Sequence, residues 1–201
     1  MIGALSPNEK EETAHTTQTL PGRSGAARLV LMAGLPGSGK TKLARQLEAR
    51  GFLRFCPDER VWRVHGHYGR DFPRGQYKVR ERPILDQIAV ELYELLAAGH
   101  DAVMDHGFWT AKERDEWRRI GEQAGAAVTL IYLSAPHEVL WERIKERNQQ
   151  TYDDPNAMYF SEDDLRRHAS RFEAPGPDEP HIVYTGDLAP VIRALWGSET
   201  S

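Results

Sequence analysis

A single cysteine, Cys56, stands in 201 residues, so no disulfide can form within the chain and a fold stapled by cross-links is excluded. Beside an apolar run, that thiol reads as a small core side chain suited to a reducing compartment. Long apolar runs are also missing: no stretch has the length needed to span a bilayer, and Met1 to Thr17 lacks the apolar centre of a signal peptide. The expectation is a cytoplasmic protein with no membrane partner. Nor is there an excess of positive charge. With 26 Lys and Arg against 30 Asp and Glu, the net charge is −4, which argues against a protein that coats nucleic acid along its whole surface. The chain carries no internal repeat, no low-complexity tract, no N-K-x-D element of the guanine-specific switches and no transporter-ATPase signature.

What is present is one domain's worth of chain. Residues 1–26 are polar, Thr-rich and punctuated by Gly and Pro, with neither helical nor strand periodicity, and read as a disordered leader. From 27 to 201 short apolar runs alternate with longer helical patterns, the signature of a parallel sheet with helices on both faces. Strands are expected at 28–33, 52–56, 102–106, 127–133 and 181–185, and helices near 40–50, 58–64, 77–98, 110–124, 136–148, 161–172 and 189–196. The longest helix carries Ile84, Leu85, Ile88, Ala89, Leu92, Leu95 and Leu96 at helical spacing and stops at Gly99.

Gly34 to Thr41 spell G-L-P-G-S-G-K-T, a full match to G-x-x-x-x-G-K-[ST]. An apolar run precedes the motif and an amphipathic pattern follows it, the strand–loop–helix context that it requires. Gly34, Gly37 and Gly39 allow backbone conformations closed to other residues, so that N–H groups of the loop, with Pro36 and Ser38 in it and Lys42 just beyond, converge on phosphate oxygens at a helix N-terminus. Lys40 then reaches the β- and γ-phosphates, and the Thr41 hydroxyl is the expected Mg²⁺ ligand. These residues make the chain a nucleotide-binding protein.

Two acids sit at expected strand ends, the edge where open α/β sheets bind ligands. Asp58 is placed to accept the proton of a hydroxyl nucleophile; the structural alternative is a helix N-cap. Asp105 ends Ala102-Val-Met-Asp105 and is placed to support Mg²⁺ directly or through water, the alternative being a buried acid satisfied by loop N–H groups. His106, Phe108 and Trp109 follow on the same edge and face either the acceptor or the core. His65 and His67 alternate like a metal pair, but no further ligand has recognisable spacing. Arg143 and Arg147, four residues apart, border the Leu140/Ile144 stripe and so aim toward the protein body; they either stabilise phosphate charge or pair with Glu138, Glu142 or Glu146. Between 60 and 82 lie Arg60, Arg63, Arg70, Arg74, Lys78, Arg80 and Arg82 against Asp71 and Glu81. With Tyr68, Phe72 and Tyr77 interleaved, this segment is the expected acceptor-binding region, or else a solvated charged face.

The phosphate loop, Cys56-Pro-Asp-Glu-Arg60, Val103-Met-Asp105, the run Ala135 to Asn148 and Arg171-Phe-Glu-Ala-Pro175 together resemble the P-loop kinase group that includes phage polynucleotide kinase, chloramphenicol phosphotransferase and zeta-toxin-like kinases. The resemblance runs from about Arg28 to Trp196. It implies a P-loop NTPase fold of the α/β class with a five-stranded parallel sheet and a mobile lid, here near 149–160, and transfer of the γ-phosphate of Mg²⁺·ATP to a hydroxyl. The group often carries an arginine three residues after the acid closing the second strand; here that position is Val61, with arginines at 60 and 63. The leading acceptor is a small molecule. The alternatives are a polynucleotide 5′-hydroxyl, which makes nucleic acid a possible partner, and a non-catalytic nucleotide-binding switch.

Overall fold

The computed structural model describes residues 25–149 and 158–197. Of the leader expected over 1–26, all but Gly25 and Ala26 therefore lies outside the described residues.

Strand β1 (Arg28–Ala33) is buried along its whole length, and its alternating side chains feed two cores. Leu29, Leu31 and Ala33 join one core with the inward stripe of helix α3 (Tyr77–Ala97), namely Ile84, Ile88, Leu92 and Leu96, and with Trp117 of α4 (Ala111–Gln123). Val30 and Met32 join the other, with Leu43, Ala44 and Leu47 of α1 (Lys40–Glu48) and Val191 and Leu195 of α7 (Ala189–Trp196). Because both faces of β1 are covered, the strand is apolar from Leu29 onward without alternation, as a central parallel strand should be.

Around it stand β2 (Leu53–Phe55), β3 (Ala102–Gly107), β4 (Ala127–Tyr132) and β5 (Ile182–Val183). The order is β2-β3-β1-β4-β5 and every pairing is parallel. β1 thus has β3 on one side and β4 on the other, and the chain crosses over β1 between them. Such a switch point opens a crevice at the carboxyl ends of the strands.

The expected elements form, most with trimmed ends, while α2 (Pro57–His65) and β3 run slightly longer than expected. The second strand stops at Phe55 because Pro57 opens α2 with Cys56 as its N-cap; proline is preorganised for the first helical position. Helix α5 (His137–Asn148) packs Leu140 and Ile144 against Leu165 of α6 (Glu162–Ala169), which opens on a Ser161/Asp164 capping box. A 3-10 turn, Arg74–Gln76, runs into α3 and was not expected from the sequence. Arg114, 1% exposed, fixes the chain after β3 to the C-terminal segment: it donates to both carboxylate oxygens of Glu179 at 2.7 Å and to the Glu173 carbonyl at 2.8 Å. No helix among the described residues is long and apolar enough to cross a membrane.

Candidate active site

The phosphate loop leaves the carboxyl end of β1 with Gly37 and Gly39 at φ +81° and +98°, in the region that side-chain-bearing residues rarely adopt. Space is as restrictive as conformation. A Cβ on Gly34 would meet Ser38 Oγ at 2.8 Å and Leu133 O at 2.9 Å, and one on Gly37 would meet Leu140 O at 2.8 Å. Lys40 folds back along the loop and donates to the Gly34 and Leu35 carbonyls at 2.9 and 3.0 Å. Gly107, at the end of β3, gives it room, since a Cβ there would sit 3.1 Å from Lys40 Cε. Burial lowers the Lys40 pKa to about 8, against the opposing pull of Asp105 and Asp58. The buried Ser38 hydroxyl has no hydrogen-bond partner among the described residues. A loop pressed against the protein at Gly34 and Gly37, left-handed at Gly37 and Gly39, and leading into a helix N-terminus with the Lys40 cation beside it fits the phosphates of a nucleotide.

Thr41, in the first turn of α1, donates from Oγ1 to Asp105 Oδ1 at 3.2 Å. The other carboxylate oxygen, Oδ2, is held by Arg54 of β2 through Nε at 2.9 Å and Nη2 at 2.6 Å, and the same Nη2 donates to Glu59 at 2.7 Å. β2 and β3 pair side by side, with Phe55 opposite Met104, which brings Arg54 to Asp105. Burial raises the Asp105 pKa while Arg54 pulls it back down. The alternative in which loop N–H groups satisfy Asp105 gives way to this side-chain grip. A hydroxyl and a carboxylate oxygen are hard donors that fit Mg²⁺, which takes few protein ligands beside phosphate and water oxygens. No group of three or more His, Cys, Asp or Glu able to hold a metal occurs among the described residues. His65 instead hydrogen-bonds Arg80 through Nδ1 at 3.1 Å and its ring meets Phe72 edge-on.

Asp58 is not a helix cap, since Cys56 holds that position and Asp58 lies inside the first turn of α2. Its Oδ1 accepts a hydrogen bond from the Tyr77 hydroxyl. Burial, and after it the charge of Asp58, pushes the Tyr77 pKa far up, so the phenol keeps its proton and acts as a fixed donor. One helical turn on, Glu81 faces the same cavity, and burial together with the nearby Asp58 charge pushes its carboxyl up to about 8. His106 lies 3.9 Å from Glu81 through Nδ1, and burial lowers its pKa. Trp109 also lines the cavity, whereas Phe108 is fully buried in the core.

From α5, Arg143 donates to the Gly37 carbonyl of the phosphate loop at 3.2 Å, and Arg147 donates to the Met158 carbonyl at 3.1 Å with its guanidinium 5.6 Å from the Phe160 ring. Asn148 bridges both backbone groups of Phe160. The flanks of the segment expected as a lid are therefore tied together, while 150–157 lie outside the described residues.

All these groups surround one cavity of about 1060 Å³, lined among others by Pro36, Gly37, Gly39, Lys40, Thr41, Lys42, Asp58, Asp105, Arg143 and Arg147. Gly34 and Ser38 stand behind the loop rather than on the cavity wall. The basic segment divides: part of it lines the cavity, and part of its charge pairs within the protein or on its surface. Arg60 pairs with Glu91 at 2.7 Å, Arg70 with the adjacent Asp71 at 3.1 Å and Arg82 with Asp86 at 3.0 Å, while Arg80 bonds His65 and Gln76. Only Arg74 and Lys78 of its cations line the cavity, beside Tyr68 and Tyr77. Phe72 and Val61 are core residues, 3% and 2% exposed, so position 61 presents no group to a substrate. Sequence reasoning missed Arg54 and Glu81. The signal for Glu81 was its i,i+4 spacing from Tyr77, which puts both on one face of α3.

Neither acid closes a strand as expected: Asp105 lies inside β3, two residues before its end, and Asp58 in the first turn of α2 after β2. A phosphate loop at the end of a central parallel strand, with these acids at the same edge of the sheet, defines a P-loop nucleotide-binding protein of kinase-like fold. The chain belongs to the AAA domain family, whose model matches residues 29–175. It is 26% identical over 126 residues to a UPF0200 protein of Saccharolobus islandicus, covering 60% of this chain and 64% of that protein, so it spans just under two thirds of that relative's length. Against the shikimate kinase of Neisseria meningitidis serogroup C it is 26% identical over 162 residues, covering 71% of this chain and 84% of the relative. Among solved structures, Kti12 of Chaetomium thermophilum in complex with ADP-AlF3 superposes with a TM-score of 0.63 at 16% identity, over 84% of this chain and 97% of that one, a likeness of fold.

Proposed function

We propose that this protein is an ATP-dependent kinase that transfers the γ-phosphate of Mg²⁺·ATP to a hydroxyl of a small-molecule acceptor, in the cytoplasm, where the lone thiol Cys56 stays reduced. The observation that carries the reading is Asp58: a carboxylate oriented by the Tyr77 hydroxyl at the rim of the cavity that holds Lys40 and Asp105. A switch that only binds nucleotide has no need of a base there.

In this reading the loop N–H groups from Gly34 to Thr41 cradle the phosphates, and Lys40 exchanges the Gly34 and Leu35 carbonyls for phosphate oxygens. Thr41 and Asp105 hold Mg²⁺, which when bound neutralises phosphate charge. Arg54 keeps the Asp105 carboxylate turned toward Thr41. As the acceptor oxygen bonds to the γ-phosphorus, its proton passes to Asp58 and the bond from the γ-phosphorus to the bridging oxygen of ADP breaks. Arg143 and Arg147 supply positive charge to the equatorial oxygens of the transferring group.

The shikimate kinase relative supports phosphotransfer as the class of reaction. The carboxylate partners of Arg60, Arg70 and Arg82 favour a small acceptor over a polynucleotide, whose phosphates need unpaired cations. The test is a screen of γ-³²P transfer from ATP to polyols, sugars, nucleosides, aminoglycosides and 5′-hydroxyl oligonucleotides. Labelled product from a small acceptor supports the reading; ATP binding with transfer to none of these overturns it.

A further inference from the structure

Among the described residues, five carboxyl side chains line the cavity: Asp58, Glu81, Asp105, Glu113 and Asp164. Four have strong partners. Asp105 is gripped by Arg54 and Asp58 accepts from Tyr77. Glu113 Oε2 accepts from the backbone N–H groups of Trp109 at 3.0 Å and Thr110 at 3.3 Å, closing the capping box of α4. Asp164 caps α6 at Ser161 and lies 3.8 Å from Arg74. Glu81, with a side chain 12% exposed, has the His106 ring 3.9 Å away and the Lys78 charge nearby, but no hydrogen bond among the described residues. An acid this far removed from water costs free energy unless a partner arrives, and the open side of Glu81 is the cavity.

The surroundings define that partner. Burial, and after it the charge of Asp58, pushes the Glu81 carboxyl up to about 8 against the pull of Lys78, so it keeps its proton near neutral pH. Protonated, it both donates and accepts, which is what a hydroxyl requires. Lys78 lies over the Trp109 ring at 5.8 Å. The wall also carries Arg74, Lys78 and Arg171; at Asp58 itself an anionic group would meet like charge, whereas a neutral molecule with two adjacent hydroxyls meets one carboxylate and one carboxylic acid, with Trp109 as an apolar wall.

We propose that Glu81 is a specificity-determining residue for the acceptor: next to Asp58 on the cavity wall, it binds the second hydroxyl of a neutral, polyhydroxylated small molecule whose first hydroxyl is taken by Asp58. The proposal rests on the kinase reading for the role of Asp58, and its test is a binding test that does not need turnover. The full chain, saturated with Mg²⁺ and a non-hydrolysable ATP analogue, is titrated by calorimetry with glycerol, ribitol, glucose and myo-inositol, with kanamycin as a cationic probe and a 5′-hydroxyl dodecanucleotide as an anionic one. At least one neutral polyol is expected to bind. Glu81→Ala should weaken it roughly tenfold or more, the scale of a lost buried hydrogen bond, with the affinity for the ATP analogue unchanged. Glu81→Gln, neutral and still both donor and acceptor, should stay within about threefold of the parent; a Glu81 that merely packs would give no such rescue.

The proposal is overturned if no polyol binds, if Glu81→Ala binds polyol like the parent, if the oligonucleotide binds in place of polyols, or if kanamycin is preferred and both variants lose it equally, which would make Glu81 a cation site. Polyol binding that depends on Glu81 without any ³²P transfer would sink the kinase reading and leave the assignment of Glu81 standing. Transfer to a non-polyol acceptor, indifferent to Glu81, would do the reverse.

Discussion

Arg54 grips Asp105 with two nitrogens on one oxygen, Nε at 2.9 Å and Nη2 at 2.6 Å, which leaves the other oxygen 3.2 Å from the Thr41 hydroxyl. Both side chains are nearly buried, 7% and 3% exposed. Removing one partner of such a pair leaves an uncompensated charge in the interior. Arg54→Met is therefore expected to cost about 3 kcal/mol of stability and to weaken the Mg²⁺ dependence of nucleotide binding roughly tenfold, as supporting residues around a metal typically do. Thermal unfolding and Mg²⁺ titration of nucleotide binding check the two effects, and an unchanged Mg²⁺ requirement would reduce Arg54 to a structural ion pair.

Lys40 titrates at about 8 in the nucleotide-free protein because burial outweighs Asp105 and Asp58. Phosphate oxygens favour the charged form and raise that value. Binding of ATP should then take up a proton as the pH passes above 8, and affinity should fall by up to roughly tenfold per pH unit from there until the bound-state pKa is reached. Calorimetry at pH 8.5 in buffers of different ionisation enthalpy measures the uptake. Lys40→Met should abolish it and weaken nucleotide binding severely.

Glu81 gives a stability signature of its own. Its folded pKa, about 8, is raised above the 4.5 of a free glutamate, with burial the largest cause and Asp58 next. The folded state thus binds more protons than the unfolded chain between these values, and this group's share of stability is lost as pH rises from about 4.5 through about 8. Glu81→Gln should leave unfolding at pH 4 nearly unchanged and stabilise the protein at pH 9, by on the order of a few kcal/mol at most. Denaturant unfolding at both pH values reads this directly; equal effects at pH 4 and 9 would contradict the perturbed environment.

For Arg143 and Arg147, substitution by Ala is expected to cut the transfer rate by roughly 10-fold or more at each position while unfolding shifts little. Arg143 is exposed and bonded to the phosphate loop through one carbonyl, and exposed pairs contribute little to folding. Loss of stability at an unchanged rate would return both to a structural role.

The sheet was legible because burial on both faces leaves a plain mark: β1 is apolar from Leu29 to Ala33 and β3 opens on the apolar run Ala102 to Met104, and the phosphate loop fixes the first of them. The Lys40–Thr41–Asp58–Asp105 grouping was legible for the same reason, since strand ends meet at one edge of a parallel sheet. Partners distant in sequence were not. Arg60 and Glu91 are 31 residues apart and Arg74 and Asp164 are 90 apart, so the basic segment looked unspent until the fold supplied its acids. The cap reading of Asp58 failed on Pro57, which starts the helix one residue earlier. Arg54 carried no local mark because its partner sits on the neighbouring strand, 51 residues on.

Central to this account is Asp58 as the base of a phosphotransfer reaction, and its most direct test pairs two measurements on Asp58→Asn. The asparagine keeps the shape of the side chain but cannot accept a proton. Transfer of γ-³²P to the acceptor should fall by roughly 10²-fold or more, while calorimetry shows the same affinity for Mg²⁺·ATP as the parent. Normal transfer by the variant would contradict the account.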